Sequence, residues 1–374
     1  MTAAFELEPS IAATLAGIDA ARAAPPYRVR TVAELEPALE KFLTARGEHA
    51  PVRNLRRLGG GASKEQFVFE LGAAQRCVLR MDPLEAAVLT SRAREFAVLQ
   101  AMQGIVPVPS ALWVDASGDE LGRPALITGF VSGVAKPSTI TSNVSGFGTV
   151  LGPELRSALK EPFLRHLCAV HGFDWRRLPT ALFQAPTADP QQAARWQLNW
   201  WKTVWRADAL DGLPLLGLAE RWLRQNLPTT RELVLVHSDF RTGNYLFDEA
   251  TRDITAILDW ELVHIGDYHQ DLAWIAVKSW SHVEKGELLA SGLMSLDELT
   301  SRYAAATGRV VDPKTLYFYQ VLGLYQCVVI CLGTSLRAAH EAHNHQDALL
   351  SWLAAAGHAF MADLISLLEQ GAPR

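Results

Sequence analysis

The stretch that decides the fold is Val234-Leu-Val-His-Ser-Asp-Phe-Arg-Thr-Gly-Asn244, followed after a turn by Ile257-Leu-Asp-Trp-Glu261. The apolar run Glu232–Val236 reads as a strand that delivers His237 and Asp239 to its end. Asn244 follows five residues after Asp239. Tyr245–Phe247 and Ile254–Leu258 read as further short strands joined by a turn at Asp248–Asp253, and the latter strand delivers Asp259. An aspartate, an asparagine and a second aspartate at strand ends can converge on one point. Oxygen donors of this kind suit Mg2+, which keeps several waters and takes the rest of its shell from phosphates. A carboxylate left off the metal can orient or deprotonate a hydroxyl. A base, a metal-binding amide and a metal-binding carboxylate are together the parts of a phosphoryl-transfer site. Each of these residues alone reads better as a turn cap, so the weight lies on the ordered set.

Outward from this segment the chain changes texture. Upstream, Val52–Leu58, Gln66–Leu71 and Arg76–Met81 are short β-leaning runs; Leu84–Met102 has a helical pattern; Ala111–Asp115 and Ala125–Val131 again read as strands. Beyond Gly133 the pattern is mainly helical, over Pro153–His171, Gln191–Ala209, Leu218–Gln225, Leu296–Ala306, Lys314–His340 and Ala348–Glu369. Residues 1–24 and 31–45 read as helices ahead of the first strand, the second with Thr31 and Glu34 spaced as a capping box. Lys136–Gly152, rich in Ser, Gly and Thr, reads as a mobile loop. The expected organisation is a helical extension over 1–46, a β-rich lobe over 47–132 and a helical lobe over 133–374.

At 374 residues the chain is too long for one small core. Its 35 basic and 40 acidic residues give a net charge of −5, which offers no electrostatic case for nucleic acid or an anionic membrane as partner. The N-terminus carries Glu6 and Glu8 and lacks a basic segment leading into an apolar one, so no signal peptide is read. Cys77, Cys168, Cys327 and Cys331 form no C-x-x-C pair or zinc spacing and read as buried free thiols, which fits a reducing cytoplasm. Leu316–Leu336 contains no charged residue and approaches spanning length, but Gln320, Gln326, Thr334 and Ser335 within it favour a buried core helix.

In combination, H-S-D-F-R-T-G-N, L-D-W-E and His264-Ile-Gly-Asp-Tyr-His-Gln-Asp-Leu-Ala273 resemble the aminoglycoside phosphotransferase and choline kinase-like family. The nearest subgroup is the phosphotransferase domain associated with acyl-CoA dehydrogenases. The resemblance implies an α+β, bilobal protein-kinase-like fold, with a small β-rich N-lobe and a larger helical C-lobe. It implies ATP and Mg2+ as cofactors and a small-molecule hydroxyl as acceptor, on a hydroxy acid or hydroxyacyl compound. By this resemblance Asp239 is the catalytic base, Asn244 and Asp259 hold Mg2+, and Asp267 braces the catalytic loop. The family usually has glycine where this chain has Ser238.

The same resemblance gives meaning to weaker signals. Leu58-Gly-Gly-Gly-Ala-Ser-Lys-Glu65 is not a Walker A loop, yet glycines let backbone N–H groups approach phosphates closely. Gly59, Gly60, Gly61 and Ser63 thus fall on the nucleotide loop. Arg80 on the third strand and Glu95 on the following helix take the places of the kinase lysine–glutamate pair, with Lys64 and Glu85 as the alternative pair. Gly129 and Val131, within Ile127-Thr-Gly-Phe-Val-Ser-Gly133, fall on the hinge that reads adenine. Trp196, Trp200, Trp201 and Trp205 have helical spacing and read either as core or, with Lys202 and Arg206, as an acceptor pocket. Arg241 is placed to meet an anionic acceptor or the transferring phosphate. His237, His264 and His269 near Asp267 and Asp271 raise a metal-dependent phosphohydrolase, although their spacing matches no zinc signature; the simpler role for His237 is to hydrogen-bond the catalytic loop. Ser238 and Arg80 also raise a nucleotide-binding pseudokinase.

Overall fold

The computed structural model describes residues 5–17, 27–59, 63–72, 75–140 and 147–373. Five antiparallel strands form one sheet: β1 (Val52–Arg57), β2 (Glu65–Leu71), β3 (Gln75–Met81), β4 (Ala111–Asp115) and β5 (Ala125–Gly129), in the order β1-β2-β3-β5-β4. The two-residue period of a strand sorts β3 cleanly. Cys77, Leu79 and Met81 are buried on one face, in a core with Phe67 and Phe69 of β2, while Val78 and Arg80 point to the other face, into a cleft.

Among the described residues two helices precede the sheet, α1 (Pro9–Leu15) and α2 (Val32–Thr44). The capping box forms as expected: the Thr31 hydroxyl accepts from the Glu34 N–H, and the Glu34 carboxylate accepts from the Thr31 N–H at 2.9 Å. The two helices pack into different cores. Leu35, Leu39, Phe42 and Leu43 of α2 close the sheet's core, whereas Ile11 and Leu15 of α1 join the core of the helical half. Residues 5–8 are not helical; Glu8 is buried against Arg94 at 2.5 Å, which fixes this segment extended. Positions 18–24 of the expected first helix lie outside the described residues.

The helical pattern read over Leu84–Met102 yields a helix only from Arg92: α3 (Arg92–Met102), capped by Ser91. Residues 84–91 satisfy their apolar character differently. Ala87 is buried against Ala338 and Leu350, so tertiary contact and not helix periodicity accounts for it.

The larger half holds α4 (Pro153–Gly172), α5 (Gln192–Asp208), α6 (Pro214–Gln225), α7 (His269–Ile275), α8 (Leu296–Thr307), α9 (Pro313–Val328), α10 (Leu336–His340) and α11 (Asp347–Gln370). Between α9 and α10, Val329–Ser335 is a π-helical turn, so the expected helix over Lys314–His340 runs through with one wide turn. Residues 316–329 of it are buried almost without exception, as expected for a core helix. Pro313–His340 and Asp347–Gln370 are both long and apolar enough to cross a membrane by length and composition; 83% of the most apolar window of the first is buried inside the protein, and 28% of the second. Cys77, Cys327 and Cys331 are buried free thiols, and Cys168 is half-buried.

Among the described residues three two-stranded ladders accompany the five-stranded sheet. β6 (Val234–Val236) pairs with β9 (His264–Gly266), β7 (Tyr245–Phe247) with β8 (Ile254–Ile257), and β10 (His282–Glu284) with β11 (Glu287–Leu289). The first two ladders carry the loops 237–244 and 258–263, and they set the site.

Candidate active site

Pairing of β7 with β8 places Tyr245 opposite Ile257, and the Leu258 N–H donates to the Asn244 carbonyl at 2.8 Å. Asn244 and Asp259 are therefore neighbours across a ladder, although fifteen positions separate them in sequence. The Asn244 Nδ2 donates to the Asp239 carbonyl at 3.0 Å and to Asp239 Oδ2. With its nitrogen spent on Asp239, the amide presents Oδ1 as its remaining donor atom. Asp239 Oδ1 accepts from Trp274 Nε1 at 2.7 Å and from Arg241 Nε at 2.8 Å. Burial pushes the Asp239 pKa up, and the Arg241 charge with these hydrogen bonds only partly offsets it.

The loop is held from beneath. The carboxylate that does so is Asp271, not Asp267 as expected from the sequence. Asp271, fully buried, accepts the His237 N–H at 2.8 Å, the Ser238 N–H at 2.7 Å and His171 Nε2 at 3.0 Å. Asp267 is turned away, accepting from the His269 N–H at 3.0 Å and from its Nδ1 at 2.6 Å. The reason is helical geometry. Asp271 lies in the first turn of α7, whereas Asp267, also buried, precedes the helix and bonds its first residue, His269. Burial opposes ionisation of Asp271, but the His171 hydrogen bond and neighbouring charges outweigh it, so its pKa is lowered. Ser238 has φ +68°, the left-handed region in which glycine is unstrained. Its hydroxyl accepts from Gln270 Nε2 at 3.0 Å, a bond that glycine could not make.

His237 bonds the loop on both ring nitrogens, as expected. Nδ1 accepts from the Asp239 N–H at 3.2 Å, which leaves Nε2–H to donate to the Leu258 carbonyl at 3.1 Å. Burial lowers its pKa, in keeping with a neutral ring. One imidazole thus ties the loop of Asp239 to the strand end of Asp259. The metal-dependent phosphohydrolase reading lacks a ligand set: among the described residues no group of three or more His, Cys, Asp or Glu is placed to hold an ion. His264 instead bonds the Leu262 carbonyl and Gln270, and His269 bonds Asp267 and the Asp312 N–H.

On the opposite wall, Arg80 Nη1 donates to Glu95 Oε1 at 2.5 Å and Nη2 to Asp259 Oδ1 at 2.7 Å. Burial alone would lower the Arg80 pKa; Glu95 and Asp259 outweigh it and raise it. The alternative pair does not form. Lys64 reaches Asp82 at 3.1 Å and Glu261 at 3.4 Å, while Glu85 faces His343 at 3.5 Å. Gly60 and Gly61 lie outside the described residues. Gly59 is described, and Ser63, expected to face phosphate, donates its hydroxyl to Glu261 at 3.0 Å.

Between the two walls is a cavity of about 290 Å3. Leu58, Val78, Leu99, Phe130, Leu246 and Ile257 make it apolar at one end; Arg80, Glu95 and Asp259 make it charged at the other. Gly129 and Val131 line it as well. An apolar cavity leading to a charged end suits a nucleotide.

The tryptophan helix lies elsewhere. Trp196, Trp200 and Trp201 are buried, the last two stacked at 5.2 Å, so they are core. Lys202 pairs with Glu220, and Arg206 lies over Phe5. The aromatic residues beside the base are instead Trp274 and Trp280, with ring centroids 4.6 Å apart, and Arg241 lies over Trp280 at 5.0 Å. Sequence reading missed Trp274; its signal was a tryptophan three residues after the buried Asp271 on a seven-residue helix.

A small antiparallel sheet over a helical lobe, with the Asp–Asn–Asp loops facing an Arg–Glu pair across a cleft, defines the kinase-like phosphotransferase class. Solved structures share this fold. A Ralstonia eutropha protein assigned as an aminoglycoside phosphotransferase aligns with a TM-score of 0.60 at 21% identity, covering 87% of this chain and 98% of that one. A thermostable mutant of aminoglycoside phosphotransferase APH(4)-Ia, in ternary complex with AMP-PNP and hygromycin B, aligns with a TM-score of 0.55 at 18% identity and the same coverage. Residues 54–306 match the profile of the phosphotransferase enzyme family, and the chain belongs to that family. Among curated relatives, acyl-CoA dehydrogenase family member 10 of Mus musculus is 29% identical over 251 residues, covering 66% of this chain and 22% of that protein. The chain spans less than half the length of the curated relatives it matches.

Proposed function

We propose that the chain transfers the γ-phosphoryl group of ATP to a hydroxyl of a small molecule. The observation that carries this reading is the juxtaposition of Asp239 and Asn244, bonded to each other, with Asp259, which lines the cleft and is bonded to the Arg80 that also holds Glu95. Two oxygens suit a hard cation: Asn244 Oδ1, and the Asp259 oxygen not bonded to Arg80. Asn244 and Asp259 would hold Mg2+, which when bound supplies charge neutralisation on the nucleotide phosphates. Arg80, held by Glu95, positions those phosphates from the other side. The backbone of Gly129–Val131, which lines the apolar end of the cavity, reads the base. Asp239 orients the acceptor hydroxyl and takes its proton as the new P–O bond forms and ADP leaves. Its raised pKa favours that role, and its three donors fix its direction. The AMP-PNP and hygromycin B complex of a structural relative supports the pairing of a nucleotide with a small hydroxylated acceptor on this fold.

For the acceptor we propose a hydroxy acid or hydroxyacyl compound. Similarity to part of the acyl-CoA dehydrogenase family proteins supports it, as does the cation of Arg241 at the base. Release of ADP across a panel of hydroxy acids, amino alcohols and antibiotics tests the reading. Asp239→Ala and Asp259→Ala should each lower turnover by about 100-fold or more, and chelation of Mg2+ should abolish it. Wild-type turnover surviving either substitution would overturn the assignment. Mg-ATP binding without transfer to any alcohol would favour a nucleotide-binding module.

A further inference from the structure

Three cations and four carboxylates meet where the two lobes touch. Arg92 is fully buried on α3 and donates Nη1 to Glu95 and Nη2 to Thr90 at 2.7 Å; its Nη2 also lies 3.3 Å from Glu261, and its Nε 3.3 Å from Asp82. Lys64, 1% exposed, contacts Asp82 and Glu261. Arg80 bridges Glu95 and Asp259. Glu261 therefore gathers groups from two separate N-lobe segments: Ser63 and Lys64 just before β2, and Thr90 and Arg92 at the start of α3. Followed around, the charges close a ring of alternating sign, Asp259–Arg80–Glu95–Arg92–Glu261, whose two ends are two residues apart on one C-lobe turn. That turn is tightly specified, with Asp259 at φ +58° and a single 3-10 turn over Trp260–Leu262.

Such a ring has one mechanical consequence. Arg80 and Asp259 come from different lobes, and their separation is set twice: directly, and through Glu95, Arg92 and Glu261. We infer that Glu261 and Arg92 are positioning residues that hold the Arg80 guanidinium in register with Asp259, and with it the phosphate-binding side of the cleft in register with the metal-binding side. This inference rests on the phosphotransferase reading above. It also gives Glu261 a task distinct from metal binding. The Ser63 hydroxyl donates to its Oε1 at 3.0 Å, and its Oε2 meets Thr90, Lys64 and Arg92, so the carboxylate is engaged within the protein.

Removing the Glu261 charge need not unfold the lobes. Arg94, on the same helix, donates independently to Glu8 at 2.5 Å and to the Val263 carbonyl at 2.9 Å, which keeps α3 docked. The test uses the full chain with Mg-ATP and the best acceptor of the panel. Glu261→Gln and Arg92→Met should each lower kcat by about 10-fold or more and leave the acceptor KM within about twofold, the split expected when alignment and not acceptor binding is lost. A double-mutant cycle should show the Glu261→Gln and Arg92→Met losses to be non-additive, because both open the same ring. Lys64→Met/Glu261→Gln removes one charge of each sign; should Glu261→Gln fold poorly, this variant restores the balance while leaving the ring open, and it should show the same fall in kcat. Wild-type kcat in the folded variants, strictly additive losses, or a fall matched by a rise in acceptor KM would overturn the inference. Absence of ATP-dependent transfer by the wild-type chain would instead overturn the reading on which it rests.

Discussion

Asp271→Asn should loosen the catalytic loop without changing side-chain volume, and its size follows from counting donors. Asp271 offers two acceptor oxygens to three buried donors: the N–H groups of His237 and Ser238 and the His171 ring. Asparagine offers one oxygen and brings an N–H2 group of its own. At least one backbone N–H of the loop must then face a donor. A buried group left unsatisfied costs about 1–3 kcal/mol, and hydrogen bonds to a charge lose strength when it is neutralised. Together these give a destabilisation of about 3 kcal/mol, a large share of a typical 5–15 kcal/mol. Urea unfolding followed by tryptophan fluorescence measures it, and kcat should fall in parallel because the same N–H groups precede Asp239. The pH dependence adds an independent check. The folded pKa of Asp271 is depressed, so its contribution is fully present above the unfolded value of about 3.9 and is lost as pH falls through the lower folded value. The gap between wild type and variant should therefore be constant near neutrality and shrink in that acid window. A variant within about 0.5 kcal/mol of wild type, with unchanged kcat, would show that Asp271 is not the brace, since so small a change is what an ordinary surface substitution gives.

Two further outcomes follow from local geometry. Gly133→Ala should destabilise the protein by about 2 kcal/mol or more and weaken ATP binding, measured by calorimetry, because the backbone there has φ +144° and an added Cβ would sit 2.6 Å from Thr255 Oγ1 and 3.0 Å from Leu246 Cβ beside the cleft. Arg80→Lys should lower kcat/KM for ATP by about 10-fold or more, because a single ammonium lacks the fork that spans Glu95 and Asp259 at once; equal rates for the two side chains would argue against a bridging role.

Much of the site could be read from the sequence because its chemistry is local. The loop His237–Asn244 is continuous, Asp259 follows one hairpin later, and Arg80 and Glu95 sit on a strand and the next helix. Elements failed where tertiary contact replaced periodicity. The run 84–91 looked helical because its apolar residues recur, yet Ala87 is buried by Ala338 and Leu350 from the far end of the chain. The tryptophans of α5 were open to either core or pocket, and only the packing assigns Trp200 and Trp201 to the core.

The sequence by itself determined the order of parts: a glycine loop, a strand arginine, a helix glutamate, then Asp239, Asn244 and Asp259. It could not decide between carboxylates that look alike on paper. Asp267 and Asp271 are four residues apart, and which of them reaches back to the loop depends on the β6–β9 ladder and the docking of α7. Glu261 meets Ser63 across 198 residues, a contact no local pattern encodes. Hydrogen bonding at buried sites is decided by which backbone donors the fold brings within about 3 Å, and that is a property of the packed chain alone.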